Sequence, residues 1–221
     1  MTTSAHPAYR RFLLVGTFLG ALAFTPLALQ AGPAAAQATQ VAPQGVLTPV
    51  NTLYNALRQA QTQDSAQRRL AIILPAVDSA FDLPTILRRS IGLHYDDFTP
   101  VERQPLQQAF RRFTAARYVS SFTPGSKGVF TVSPRLTLNP AGGYIVHTTV
   151  HGEGDQPSDA TSIDYIVKNT PTGWRIADIL LDGHISQAAA QRSDFGSVID
   201  RKGPAGLTQV LSAKADSILQ D

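Results

Sequence analysis

The C-terminal quarter of the chain reads GWRIADILLDGHISQAAAQRSDFGSVIDRKGPAGLTQVL from Gly173 to Leu211. Its first part predicts a strand that ends in the turn Asp182-Gly183. Two helical patterns follow, separated by Lys202-Gly203-Pro204. The stretch offers apolar packing surface and almost no polar groups at catalytic spacing, so it favours a protein that holds a ligand over one that transforms it.

Upstream of this stretch, the chain changes from helical to strand-like periodicity after Pro124-Gly125. Apolar and polar side chains alternate in 162–168, which is typical of a strand with one covered and one solvated face. Turn residues separate four such segments, namely 129–133, 144–151, 162–168 and 174–181. The sequence therefore predicts a four-stranded antiparallel meander.

The first half of the domain carries amphipathic helical patterns instead. Thr48-Pro49 predicts an N-cap followed by proline at the first position of a first helix, and Pro75 predicts a kink or a break in the second. Asp82 is a candidate cap of a third helix, and 99–102 has the form of a capping box that opens a fourth. Helices, strands and again helices in separate blocks predict an α+β fold whose sheet packs against surrounding helices.

The N-terminus predicts export. Arg10 and Arg11 precede an apolar run from Phe12 to Leu29, and Ala36-Gln37-Ala38 resembles a cleavage site. A membrane anchor is the alternative, since the run is close to the roughly 18 residues of a spanning helix, but glycines and a proline interrupt it. We expect a cleaved signal peptide over residues 1–38, a flexible lead over 39–47 and one domain over 48–221 in the periplasm.

Charge and cysteine content exclude several classes of protein. The leader contains two arginines and no acid, so its removal lowers the formal net charge from +3 to +1. A nearly neutral chain gives no electrostatic reason to expect nucleic-acid binding. The absence of cysteine excludes disulfides, thiolate metal sites and a lipidated N-terminal cysteine.

Motifs of catalysis and of metal or cofactor binding are also missing from the sequence. It contains no G-x-S-x-G elbow, Walker loop or dinucleotide fingerprint. His147 and His151 lie on one predicted strand about 13 Å apart, too far for one ion to bridge. The residue types of a Ser-His-Asp triad are present in Ser193, His184, Asp178 and Asp182. The sequence has no nucleophile turn or oxyanion loop beside them, so it does not predict a catalytic triad. We therefore expect no catalytic residue, metal or cofactor.

The apolar residues of the helices and the strands allow two interpretations. Either they close into a dry core, or the two layers stay apart and leave a pocket. Close packing is the usual state of protein interiors and favours the core. The residues concerned are Phe81, Ile86, Leu87, Phe110, Phe113 and Tyr118 on the helices, and Tyr165, Val167, Trp174, Ile176 and Leu180 on the sheet.

Several stretches of the sequence resemble a known family. The stretch 173–179, followed by Leu181-Asp182-Gly183 and Arg192-Ser193-Asp194-Phe195, is similar to the signature of the MlaC family of periplasmic lipid-binding proteins. Phe81-Asp82-Leu83 and Thr99-Pro100 occur upstream in the family's order, and the resemblance spans about residues 50–219. Within the family, 182–186 and 81–84 look more like the hopanoid-associated subgroup HpnM than like the phospholipid shuttles. Ala177 is a departure from the shuttles, which tend to carry a bulkier aromatic residue at this position.

The resemblance implies a sheet and helices that enclose a hydrophobic cavity for lipid tails. It implies a soluble carrier that binds a hopanoid-type lipid or a phospholipid and passes it between membrane-embedded lipid transporter components of the inner and outer membranes, without catalysing a reaction. We expect the cavity to be lined by Ile86, Leu87, Phe110, Phe113, Tyr118, Tyr165, Ile179 and Leu180.

Two other functions remain open at this point. A cone-shaped α+β enzyme acting on a polycyclic lipid would use Asp178 or Asp164 as a buried base with a raised pKa. A protein that only docks other proteins would have a closed core and an exposed apolar patch.

Overall fold

A computed structural model of the protein describes residues 43–220. The predicted signal peptide and residues 39–42 of the predicted lead lie outside this range. The remainder of the lead, residues 43–47, forms a turn in which Val46 is buried. This turn carries the chain directly into the first helix.

Five α-helices occur within residues 43–220, and short 3₁₀ segments connect some of them to their neighbours. None of these helices is both long enough and apolar enough to cross a membrane. The helices are α1 (Thr48–Ala60), α2 (Ala66–Ala80), α3 (Leu83–Ile91), α4 (Pro100–Ser121) and α5 (Gln187–Gln220).

The predicted caps of α3 and α4 are confirmed, whereas the predicted N-cap Thr48 is the first residue of α1 and the cap position is Leu47, which makes no side-chain hydrogen bond there. The Asp82 carboxylate accepts a hydrogen bond of 3.2 Å from the backbone N–H of Thr85. At α4 the Thr99 hydroxyl accepts from the N–H of Glu102, and the Glu102 carboxylate accepts from the N–H of Thr99 at 2.8 Å. Two otherwise unpaired donors are satisfied reciprocally, and these bonds lower the pKa of Glu102.

Helix α2 differs from expectation because it runs unbroken through Pro75. A proline in a helix interior removes one backbone hydrogen bond. Ile73 and Val77, on either side of Pro75, are fully buried in the core and hold the helix in place. Of the two predicted outcomes, the break therefore does not occur.

The sheet is an antiparallel meander of five strands, so the prediction of four strands is wrong. The strands follow the chain in the order β1 (Gly128–Leu138), β2 (Tyr144–Gly152), β3 (Thr161–Thr170), β4 (Gly173–Leu181) and β5 (Ile185–Ser186). The fifth strand was not predicted because two residues carry no periodicity. It pairs with the end of β4 through the turn at Asp182 and Gly183, whose φ angles are +50° and +77°.

Beneath the inner face of the sheet, an aromatic cluster fills the interface with α1 and α4. The rings of Tyr54 and Phe130 lie 4.8 Å apart, and those of Tyr54 and Tyr165 lie 5.9 Å apart in an edge-to-face arrangement. Tyr118 stacks on Phe122, which in turn contacts Phe130. We call these five residues the tyrosine core.

A hydrogen-bonded chain locks the tyrosine core to the sheet. The Thr148 hydroxyl donates to the carbonyl oxygen of Ile163, so the Tyr54 hydroxyl, 2.5 Å away, donates to Thr148. Burial raises the pKa of Tyr54 to about 12, and burial also raises the pKa of both Tyr118 and Tyr165. The predicted hydrophobic cavity is thus not found at Tyr54 and Tyr165, where the layers are packed ring to ring.

Candidate functional site: a pocket between the last two long helices

Open space lies on the other side of α4, where it faces α5. A pocket of about 300 Å³ is enclosed there by α4, the end of β4, β5 and α5. We call it the α4–α5 pocket. Its lining residues are Phe113, Arg117, Leu181, Asp182, Ile185, Gln187, Ala190, Gln191, Asp194, Phe195, Val198, Leu207, Val210, Leu211 and Lys214.

A kink divides α5 into two segments that both line this pocket. Gly203 has φ +65° and ψ −173°, a combination outside the helical region and almost restricted to glycine. Pro204 follows and starts the second segment of the helix. Because the direction changes at Gly203, residues 187–202 and 204–220 diverge and both contribute walls to the α4–α5 pocket.

The first turn of α5 is fixed to the sheet by Asp178 of β4. This buried carboxylate accepts hydrogen bonds from the Ser186 hydroxyl at 2.6 Å and from the backbone N–H groups of Ile179 at 2.8 Å and Ala188 at 3.4 Å. The Arg89 guanidinium of α3 lies 3.7 Å away. Asp178 therefore joins β4, α3 and the start of α5, which is a structural use of a residue that the sequence offered as an enzymatic base.

Arg117 is the charged residue of α4 that lines the pocket. Gln187, with its amide oxygen facing the guanidinium, accepts hydrogen bonds of 3.3 Å from both terminal nitrogens of Arg117. The guanidinium carbon also lies 5.8 Å from the centre of the Phe113 ring. Burial lowers the pKa of Arg117, because a charge in apolar surroundings loses its hydration.

Two smaller spaces continue inward from the α4–α5 pocket. The inner void, about 20 Å³ or room for about one water molecule, shares Arg117, Gln187 and Gln191 with it. A third space of about 180 Å³, the α3–α4 pocket, shares Leu83 and Phe110 with the inner void. The three spaces therefore form a row from α5, past Arg117, to the surface between α3 and α4.

The structure places six of the eight predicted lining residues along this row. Phe113 lines the α4–α5 pocket, and Leu87 lines the α3–α4 pocket together with Phe110. The residues around the inner void include Ile86, Phe110, Tyr118 and Ile179.

The other two predicted residues lie elsewhere. Tyr165 is buried in the tyrosine core against Tyr54. Leu180 pairs with Asp164, whereas Ile179 pairs with Tyr165, and neighbouring residues of a strand point to opposite faces. Leu180 thus lies on the face of the sheet that is turned away from Tyr165.

Sequence reasoning missed most of the pocket wall that α5 supplies, as well as Arg117. A signal for Arg117 was present, since it follows Leu106, Phe110 and Phe113 on the apolar stripe of α4. A charge at a core position of a helix marks an unusual environment. The walls at Phe195 and Leu207 could not be assigned because they depend on the direction that the chain takes after Gly203.

The polar residues considered for catalysis form no site in the described part of the chain. The His147 ring lies 2.7 Å from the buried Asp164 carboxylate and 2.8 Å from the Thr137 hydroxyl, in a row across three strands. None of these three residues lines the three spaces described above. His184 and Ser193 are both exposed, and within residues 43–220 no group of three or more potential metal ligands occurs.

A solved structure has the same fold. It is the 1.53 Å structure of the phospholipid-binding protein from Ralstonia solanacearum in complex with a phospholipid. The two chains superpose with a TM-score of 0.65 at 19% sequence identity, over 78% of this chain and 98% of the other. At this identity the likeness establishes the α+β fold.

Family membership rests on the sequence match. The model of the family described as MlaC protein matches residues 48–213, from the first residue of α1 to the second segment of α5. The matched range includes the tyrosine core and all but one of the residues that line the α4–α5 pocket. The chain belongs to the MlaC family.

Proposed function

We propose that the protein is a periplasmic lipid carrier that holds the hydrocarbon part of a lipid in the α4–α5 pocket without chemical change. The observation that carries this proposal is the pocket itself, whose floor is formed by the buried side chains of Phe113, Phe195, Leu207 and Leu211. The phospholipid bound by the R. solanacearum protein of the same fold supports the same class of ligand.

A carrier has a clear physical purpose. Each methylene exposed to water costs about 0.8 kcal/mol, so a lipid with ~30 methylenes faces a penalty of ~20 kcal/mol or more on leaving a bilayer. A protein pocket that replaces the bilayer removes most of this penalty without making or breaking a bond. The cargo would be a phospholipid or a hopanoid-type lipid, exchanged with membrane-embedded lipid transporter components.

The size of the pocket limits how a large lipid can bind. About 300 Å³ is at the lower end of the range of about 300–1,000 Å³ that is usual for drug-sized ligands. A two-chain lipid would therefore need the segments of α5 to separate further, or a chain to pass Arg117 into the inner void.

The decisive experiment is a comparison of lipid uptake between two tryptophan variants. Val198→Trp fills the α4–α5 pocket, whereas Leu138→Trp places the same ring at an exposed position of β1 outside all three spaces. The protein is purified without detergent, analysed by native mass spectrometry, and incubated with vesicles that carry labelled phospholipid or hopanoid.

We expect the wild type and Leu138→Trp to carry one lipid per chain and Val198→Trp to lose it. Uptake that is equal in both variants would place the lipid elsewhere, and a wild type that binds no lipid would refute the carrier. The export proposal has a separate test, since N-terminal sequencing of the periplasmic protein is expected to begin at Thr39.

A further inference from the structure

The three spaces lie along one side of α4. This helix contributes Phe113 to the α4–α5 pocket, Thr114 to the inner void and Gln107 to the α3–α4 pocket. Opposite α4, the first segment of α5 (residues 187–202) lines the α4–α5 pocket, α3 lines the α3–α4 pocket, and both line the inner void. We call this row of spaces the seam. Because protein interiors are normally close-packed, the seam marks the place where α4 is least closely covered.

The two elements that face α4 across the seam are joined to each other. Arg192 of α5 donates two hydrogen bonds, of 3.2 Å and 3.0 Å, to the carbonyl oxygen of Arg89 in the last turn of α3. Carbonyls of a last turn have no partner within their own helix, so this side chain satisfies one of them. The buried Ser90 hydroxyl of α3 also lies 3.0 Å from the amide oxygen of Gln191. We call α3 and residues 187–202 together the lid.

Both parts of the lid begin at β4 and end at a glycine. Directly before α3, the backbone N–H of Asp82 donates to the carbonyl oxygen of Ile176 at 2.9 Å, and Asp178 holds the start of α5. Gly92 follows α3 with φ +82° and ψ −146°, and Gly203 follows residues 187–202 with φ +65° and ψ −173°. Residues at the ends of elements commonly act as hinges, and glycine absorbs a change of φ and ψ at the lowest steric cost.

The other side of the seam is held from several directions. Tyr118 of α4 packs into the tyrosine core. The exposed ion pair between Arg112 and Asp216 joins α4 to the second segment of α5, whose side chains Leu207 and Leu211 are buried. The lid is therefore the side of the seam that ends in hinges, and α4 with the second segment is the fixed side.

We propose that the lid swings away from α4 about its attachment to β4 to admit a lipid, and stays displaced while the hydrocarbon occupies the seam. The movement widens the α4–α5 pocket and the inner void together, because residues 187–202 line both. It separates the rings of Phe110 and Phe195, whose centres lie 6.3 Å apart, and the lipid chain replaces their contact. This inference rests on the proposed carrier function and names the part of the molecule that moves.

The test is a reversible tether between α3 and α4. Pro84 and Gln108 are exposed and line the α3–α4 pocket from its two sides. Pro84→Cys combined with Gln108→Cys accepts a short bifunctional maleimide with a reducible disulfide in its linker, and the chain has no other cysteine. Neither residue lines the α4–α5 pocket, so the tether can stop uptake there only by restraining the lid. We expect uptake of labelled phospholipid from vesicles to be lost on tethering and regained on reduction.

Arg112→Cys combined with Asp216→Cys is the matched control. The same reagent then joins α4 to the second segment of α5, both on the fixed side of the seam, in place of an existing ion pair. Its uptake is expected to be the same before and after tethering. Loss of uptake in both tethered proteins would overturn the lid, since any restraint of α4 would then have the same effect.

Distances between spin labels test the lid without a tether. Arg88, Ser193 and Arg112 are exposed positions on α3, on the first segment of α5 and on α4. Cysteines at two of these positions at a time carry the labels, and electron paramagnetic resonance measures each distance with and without bound phospholipid. Both distances to residue 112 are expected to increase with lipid, whereas the distance between residues 88 and 193 is expected to stay the same.

The outcomes separate the lid from the carrier on which it rests. Uptake that the tether between residues 84 and 108 leaves unchanged, or a distance between residues 88 and 193 that changes with lipid, overturns the lid and leaves the carrier in place. If the variant with both cysteines takes up no lipid before tethering, the label distances decide. A wild type that takes up no phospholipid overturns the carrier.

Discussion

The tyrosine core and the α4–α5 pocket are two sides of the same helix, and one is closed while the other is open. Tyr118 of α4 and Phe122, the residue directly after the helix, pack into the tyrosine core, whereas Phe113 and Arg117 of α4 line the pocket. Both sides are walled largely by apolar side chains. The difference shows that composition alone does not decide whether two layers of a protein touch.

Closure of the core depends on what faces α4. On the sheet side, Tyr54 and Tyr165 fit their rings together and Thr148 anchors the Tyr54 hydroxyl. On the α5 side, the change of direction at Gly203 separates two segments that would otherwise continue as one straight helix. The fold thus holds a rigid interface and an open one around a single helix.

The largest expected loss of stability follows removal of an aromatic ring from the tyrosine core. We expect Tyr165→Ala to lower the free energy of unfolding by ~3–5 kcal/mol, the range for removal of a large buried aromatic side chain. Val198→Ala at the pocket, where space already exists, is expected to cost less than ~1 kcal/mol. Urea denaturation of both variants measures the contrast, and equal losses would contradict a difference in packing between the two sides.

The second prediction concerns the kink. Gly203→Ala places a side chain at φ +65° and ψ −173° and is expected to cost ~1–3 kcal/mol through backbone strain, since no atom lies within 4 Å of the added Cβ. The variant should also alter lipid uptake, because the divergence of the α5 segments depends on this residue.

Gly196→Ala is the control for this prediction. Gly196 lies in the first segment of the same helix, and its added Cβ also meets no atom within 4 Å. Because its φ is not positive, we expect a gain of ~0.5–1 kcal/mol from the higher helix propensity of alanine. A loss in both variants would mean that the strain at Gly203 is not the cause.

The third prediction concerns the effect of alkaline pH on the stability of the tyrosine core. The pKa of Tyr54 is raised to about 12 in the folded protein, against an ordinary value of about 10 in the unfolded chain. A raised pKa gives stability that is fully present below pH 10 and is lost as the pH rises from about 10 toward about 12. The free energy of unfolding, followed by denaturation at each pH, should fall across this interval.

Tyr54→Phe sharpens this result. Loss of the hydrogen bond to Thr148 is expected to lower stability at pH 7 by ~0.5–1.5 kcal/mol, the range for one hydrogen bond. The variant also has one fewer group to ionise, so its stability should fall less steeply above pH 10. An unchanged slope would show that Tyr54 does not contribute to the alkaline transition.

Local sequence signals predicted much of this fold. The capping box at Thr99 and Glu102 and the cap at Asp82 are determined by residues within one helical turn, and both form as expected. The four long strands were visible because the side chains of a half-covered strand alternate. The break that Pro75 allowed in α2 does not occur, because packing of the neighbouring residues outweighs the loss of one backbone hydrogen bond.

The candidate site was less accessible to sequence reasoning. The residues facing α4 from α5 come from two segments whose relative direction is set by one glycine, and no local pattern encodes that direction. Leu180 illustrates a different cause. It was grouped with Ile179 by composition, although adjacent residues of a strand cannot line the same face.

The residues of the tyrosine core and of the α4–α5 pocket come from different parts of the chain. The tyrosine core needs residues no later than Tyr165, whereas the α4–α5 pocket is complete only when Lys214 has been added. A chain that ends after Tyr165 and before Lys214 therefore has every residue of the tyrosine core but an incomplete α4–α5 pocket. In the proposed carrier, capture of a lipid would thus require both segments of α5.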